Sequence, residues 1–159
     1  MSAQATRLAQ QLNDFNAQII SFVEKCTDEN WRRTSAWEDW TVGVVARHIA
    51  AGHFEVIELV KMMLKGEAVP PLSEEQVVAM ANQHAKEHAD CTRDEVLSIL
   101  RTNGEKMVTF VAELSDDDLG ATGQMPIMEG EFTAAELIDA VILQSGRHHF
   151  ENMQKAVAG

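Results

Sequence analysis

Leu8, Leu12, Phe15, Ile19, Phe22 and Cys26 follow one another at steps of four and three residues. An α-helix turns once every 3.6 residues, so these side chains share one face and require an apolar surface to cover it. The pattern recurs three times. Val44, Val45, His48, Ile49, Gly52, Val56, Leu59, Val60 and Met63 carry it to about Leu64, and Gly66 with Pro70-Pro71 ends it. Val96, Leu100, Met107, Phe110, Val111 and Leu114 form a third seam, interrupted by Asn103. Leu137, Val141, Gln144 and His148 form a fourth, with Ile138, Ile142, Ser145, His149 and Met153 one column round. A shorter helix is expected over residues 73–90, with Val77, Ala81, His84 and His88 along one face.

The start signals agree with the seams. Thr41 is placed to cap the second helix, and Thr92-Arg-Asp-Glu95 and Thr133-Ala-Ala-Glu136 are capping boxes for the third and fourth. Between those two boxes, Gly120, Gly123, Pro126 and Gly130 predict an irregular connection of the kind that often rims a site. Four long amphipathic helices, with no strand signal beyond a short stretch at Met125 to Met128, predict an all-α four-helix bundle. No repeat or linker divides the chain, so residues 1–159 are expected to form one domain.

Composition narrows the function. Twenty-five acidic residues against thirteen basic ones give a net charge of −12, which repels phosphate backbones and anionic membrane surfaces. Nucleic acid and membrane are therefore not expected as partners, and a small-molecule substrate is. The longest apolar run is far shorter than the roughly 20 residues a bilayer requires. Cys26 and Cys91 lack Cys-x-x-Cys spacing, and no secretory signal is recognisable, so reduced thiols in a cytoplasm are expected. Tyrosine is absent, which removes one candidate acid.

Sites in helical bundles are built from inward side chains on facing helices. His48 on the second helix, with Gln144 and His148 on the fourth, are the polar residues that interrupt otherwise apolar seams. Two imidazoles and a third ligand with one position open is the catalytic pattern for zinc and its neighbours. The plainer alternative is a metal-free core in which His48 is hydrogen-bonded to Gln144 and His148 is hydrated. His53 lies five residues beyond His48, about 140° round a regular α-helix, which separates the two. His149 is expected at the surface, or as an outer partner of the site. His84 and His88 have the i, i+4 spacing of a metal clip, but Lys86, Glu87 and Asp90 crowd that segment and favour a solvated face.

The stretch Trp40-Thr-Val-x-x-Val45-x-x-His48-Ile-Ala, followed by Gln144-x-x-x-His148-His149-x-x-Asn152, resembles the DinB/YfiT-like superfamily, including the N-terminal domain of mycothiol-dependent maleylpyruvate isomerase. The resemblance spans nearly the whole chain. It implies an up-down-down-up four-helix bundle, commonly a homodimer. It further implies a divalent metal, zinc or nickel, held by His48, Gln144 and His148. Gln144 departs from the histidine or glutamate found at that position in relatives, and a neutral amide weakens the set. The resemblance also implies a low-molecular-weight thiol as cofactor and a transfer, isomerisation or hydrolysis of a small molecule. The alternative is a degenerate bundle that binds a ligand or partner without metal.

Overall fold

The computed structural model describes residues 2–69, 71–125 and 128–158. Pro70, expected to help end the second helix, and Pro126, expected in the irregular connection, lie outside the described residues. Helix α1 (Ala3–Lys25) begins where the Ser2 hydroxyl accepts the Ala5 N–H at 3.1 Å. Leu8, Leu12, Phe15 and Ile19 of the expected seam are buried, and Phe22 packs against the core from a partly exposed position. A short helix α2 (Asp28–Arg32) carries Trp31, whose indole N–H donates to the Cys91 carbonyl at 2.9 Å.

The second long helix, α3, spans 42–64 and starts at Thr41, whose hydroxyl accepts the Val44 N–H at 3.2 Å. It is not a uniform helix. Val42–Arg47 is α, His48–His53 is a π-helix, Phe54–Val56 is a 3-10 turn, and Ile57–Leu64 is α again. Helix α4 (Glu74–Glu87) opens with a Ser73/Gln76 capping box and buries only Ala85. Helix α5 (Arg93–Ala112) opens with the predicted Thr92/Glu95 box. Its buried face is Val96, Leu97, Leu100, Gly104, Met107 and Val111. A short helix, α6 (Asp116–Gly120), follows.

Where an irregular connection was expected, the chain forms a hairpin. Strand β1 (Thr122–Met125) pairs antiparallel with β2 (Met128–Thr133), with Thr122 opposite Thr133 and Gln124 opposite Glu131. Of the stretch Met125 to Met128, read as a possible strand, Met125 ends β1 and Met128 begins β2, and residues 126 and 127 lie outside the described ones. The last helix, α7, spans 134–158 and starts at the predicted Thr133/Glu136 capping box. It too changes pitch: Ala134–Leu137 is α, Ile138–Ser145 is π, and Gly146–Ala158 is α.

The four long helices α1, α3, α5 and α7 pack round one apolar core, which is the expected four-helix bundle. Phe15 sits at its middle, edge-on to both Phe54 of α3 and Phe150 of α7 at centroid separations of 6.3 and 6.2 Å. Helices α1 and α5 meet where Gly104 leaves space for the buried Asn16, whose amide donates to the Leu100 carbonyl at 3.2 Å.

Candidate metal centre

Both π-helical segments fall on the helices that carry the candidate ligands. A π-helix hydrogen-bonds i to i+5, so each turn takes up one residue more than an α turn. In α3 this is visible at Phe54, whose N–H donates to the Ile49 carbonyl five residues back. The residue stacked over His48 is therefore His53. The expectation that these two histidines are rotated apart is overturned, because it assumed 100° per residue throughout. Their rings lie 4.9 Å apart, centroid to centroid. Gly52 occupies the place an α-helical neighbour would take. A Cβ there would sit 3.4 Å from His48 Nδ1, in van der Waals contact with the imidazole.

The π segment of α7 has the same effect one helix away. By adding a residue to the turn, it carries His149 inward and turns His148 out. His148 is exposed, and so is Gln144, whose side-chain amide donates to Asp139 at 2.5 Å. Of the three residues read from the sequence, the structure sets His48 beside His53 and His149 and leaves Gln144 and His148 exposed. The reason is a one-residue change of register that a uniform 3.6-residue period does not contain. His149, expected at the surface, stands 5.1 Å from His48 and 5.0 Å from His53 between ring centroids. The His84 and His88 rings, at the end of α4, lie 4.5 Å apart and tilted by 51°, and His84 contacts the Arg47 guanidinium.

His48, His53 and His149 each offer a ring nitrogen, and these atoms lie within 4.8 Å of one another. Outer contacts set two of the tautomers. His53 Nδ1 is 2.8 Å from the Val141 carbonyl, an acceptor, so Nδ1 carries the proton and Nε2 presents a lone pair. That Nε2 is buried and finds no hydrogen-bond partner among the described residues. His149 Nδ1 is 2.9 Å from Glu38 Oε1, which sets the same tautomer by the same logic.

The site also uses the carbonyls of the π turns. Val141 lies in the π segment of α7, and its acceptance from His53 joins the two irregular segments directly. Ala50, in the π segment of α3, accepts from the Asn103 side chain at 2.9 Å. Asn103, which interrupts the apolar seam of α5, thus supports the distortion that forms the site. Burial pushes the His48 imidazole down to about 3, with the neighbouring His53, His149 and His84 rings adding to the effect. Burial also pushes His53 down to about 4, against the opposing bond to Val141. Both rings are neutral at pH 7, the form that binds a metal.

The loop before α3 closes the site on one side. Ser35 N–H donates to the Trp40 carbonyl at 2.7 Å and Asp39 N–H to the Ser35 carbonyl at 3.0 Å, with Asp39 in the left-handed region at φ 59°. This tight turn sets Trp40 edge-on to His48 at 5.1 Å. It also delivers Glu38 to α7, where Asn152 Nδ2 donates to Oε1 at 2.7 Å, while the Ser35 hydroxyl donates to Oε2. Burial raises the Glu38 pKa, but the bonds from Ser35, Asn152 and His149 outweigh it and hold the carboxyl below its usual range.

A buried lone pair without a donor, facing the rings of His48 and His149, is the arrangement that a cation resolves. The residues present fit a divalent metal. The model of the mycothiol maleylpyruvate isomerase N-terminal domain matches residues 12–142, a span that includes His48 and His53. The chain belongs to this family. The wider DinB-like superfamily, inferred from the motifs, contains it. YfiT from Bacillus subtilis, whose solved structure is described as a probable metal-dependent hydrolase with an unusual four-helix bundle topology, superposes with a TM-score of 0.80. The two are 20% identical, and the match covers 99% of this chain and 89% of that one, so YfiT speaks for the fold. No curated protein sequence matches this member of the family. No helix among its described residues is long and apolar enough to cross a membrane.

Nothing in the sequence singled out His53 or His149 over His148. A usable signal exists: Gly52, one turn beyond His48 and directly before His53, marks a place where the α3 face lacks a side chain.

Proposed function

We propose that this protein is a metal-dependent enzyme in which His48, His53 and His149 hold a divalent cation, zinc or nickel, and that it acts on a small molecule. The observation that carries this reading is the buried, unpartnered Nε2 of His53 within 4.8 Å of ligand atoms from two other histidines. A cation held by these three residues would lower the pKa of a bound thiol or water and so supply a nucleophile at neutral pH.

The chain's own residues supply the rest. His53 and His149 are held in the metal-binding tautomer by Val141 and Glu38. Trp40 forms an apolar wall beside His48 and limits water on that side. The described triad is flanked by one buried carboxylate, Glu38, which is engaged by three donors and is not free to take a proton from substrate. Glu38 therefore holds His149 in place and does not act as a base toward substrate, a role that a bound cation would make unnecessary by acidifying the nucleophile. That favours a thiol or water with a low pKa in the bound state, in a transfer, isomerisation or hydrolysis reaction. Family membership supports a low-molecular-weight thiol as the partner in that reaction. The Gln144 substitution, which weakened the case on sequence, carries no weight once Gln144 lies outside the ligand set.

The test is metal content of untagged protein, by mass spectrometry, for the wild type and for His48→Ala. About one equivalent of zinc or nickel in the wild type and little in the variant supports the reading. Equal metal in both, or none in either, refutes it.

A further inference from the structure

Glu38 lies outside the imidazole cluster, yet its surroundings are built to hold a charge at one point. Its side chain is 9% exposed and that of His149 is 18% exposed. Ser35, which donates to Oε2, is fully buried, and Asn152, which donates to Oε1, is 1% exposed. Asn152 commits its amide N–H to Glu38 while its Oδ1, buried, finds no partner among the described residues. An unpaired buried carbonyl is unfavourable, so this contact is retained against a penalty. The loop is fixed to α7 along one face: Glu38 contacts His149 and Asn152, and the Lys155 ammonium sits 5.6 Å from the centre of the Trp37 ring. Residues 149, 152 and 155 are successive steps of three on the α segment Gly146–Ala158.

We infer that Glu38 is the positioning residue of the metal centre: its carboxylate orients the His149 ring, fixes a proton on Nδ1, and offsets part of the charge that a divalent ion would bring to the three imidazoles. This rests on the metal reading above and extends it to a residue that touches no metal. A histidine ligand whose other nitrogen donates to a carboxylate is a stronger base toward the metal, and loss of such an outer partner costs 10- to 100-fold in metal affinity. Trp37, Glu38 and Asp39 thus belong to the site as a turn that carries one functional carboxylate. The left-handed Asp39 is the bend that makes its approach possible.

The experiment uses the full, untagged chain with zinc as the probe. The dissociation constant is measured by competition with a chromogenic chelator for wild type, Glu38→Gln, Glu38→Ala and His53→Ala. Glu38→Gln keeps an acceptor oxygen and loses the charge; Glu38→Ala loses both. Binding weakened about 10-fold in Glu38→Gln and about 100-fold in Glu38→Ala is expected. The visible absorption of the cobalt-substituted protein, which reads the ligand field directly, shifts in both variants. Zinc binding that is abolished by His53→Ala but stays within twofold of wild type in Glu38→Gln overturns the role of Glu38 and leaves the triad standing. Zinc binding insensitive to His53→Ala overturns the metal reading itself, and with it this inference. If Glu38→Ala does not fold, Ser35→Ala keeps the carboxylate and removes one of its restraints. A several-fold loss of affinity then supports the positioning role, and no loss overturns it.

Discussion

Replacing His53 by alanine separates the site that the π-helices build from the one that a regular helix would give. A metal that binds only the folded state, present at one hundred times its dissociation constant, stabilises by about 2.7 kcal/mol. For a chain of 159 residues, an unfolding entropy of about 2.1 cal/mol/K per residue gives roughly 0.33 kcal/mol/K, so zinc should raise Tm by about 8 °C. His53→Ala removes one of three ligands. If affinity falls about 100-fold, the same zinc concentration equals the new dissociation constant, and the stabilisation drops to about 0.4 kcal/mol, or roughly 1 °C. His148→Ala and Gln144→Ala, at exposed positions, should each keep the full shift. The assay is differential scanning fluorimetry of untagged protein, first stripped with a chelator and then titrated with zinc. A shift that survives His53→Ala but disappears in His148→Ala would refute the register argument and restore the ligand set read from uniform helical spacing.

Two further predictions concern the scaffold. Gly104→Ala would drive a Cβ into the Asn16 amide, so that side chain must leave its bond to Leu100 or α1 and α5 must separate, with a loss of about 1–3 kcal/mol in urea unfolding. Adding Asn16→Ala should recover part of that loss, and strictly additive effects would show that the two residues do not compete for the same space. Cys91 is held protonated, its thiol pushed up to about 11, chiefly by burial. Its thiolate fraction at pH 8 is then about one in a thousand, against roughly a quarter for a free thiol. Alkylation by iodoacetamide should be about 200-fold slower than for glutathione and rise about tenfold per pH unit toward pH 11. A rate matching glutathione at pH 8 contradicts the assignment.

The helices were legible because their signals are local. Steps of three and four in α1, and hydroxyl caps at Thr41, Thr92 and Thr133, depend on residues within one or two turns, and each cap forms as read. His48 was legible for the same reason, as a polar residue on an apolar face. The hairpin at 122–133 was not, since its short strands pair only with each other and sit among glycines that also suit a loop.

The sequence by itself determined the bundle, its capped helix starts and the helix pair that carries the site. Which histidines meet was decided by tertiary structure alone. His53 or Gly52, and His149 or His148, differ by one residue of register, and a π turn is selected by contacts far away in the chain. Asn103 of α5 satisfies the Ala50 carbonyl, and His53 of α3 satisfies the Val141 carbonyl of α7. Neither contact leaves a mark on the local period, yet together they turn two misaligned pairs of histidines into one site of three.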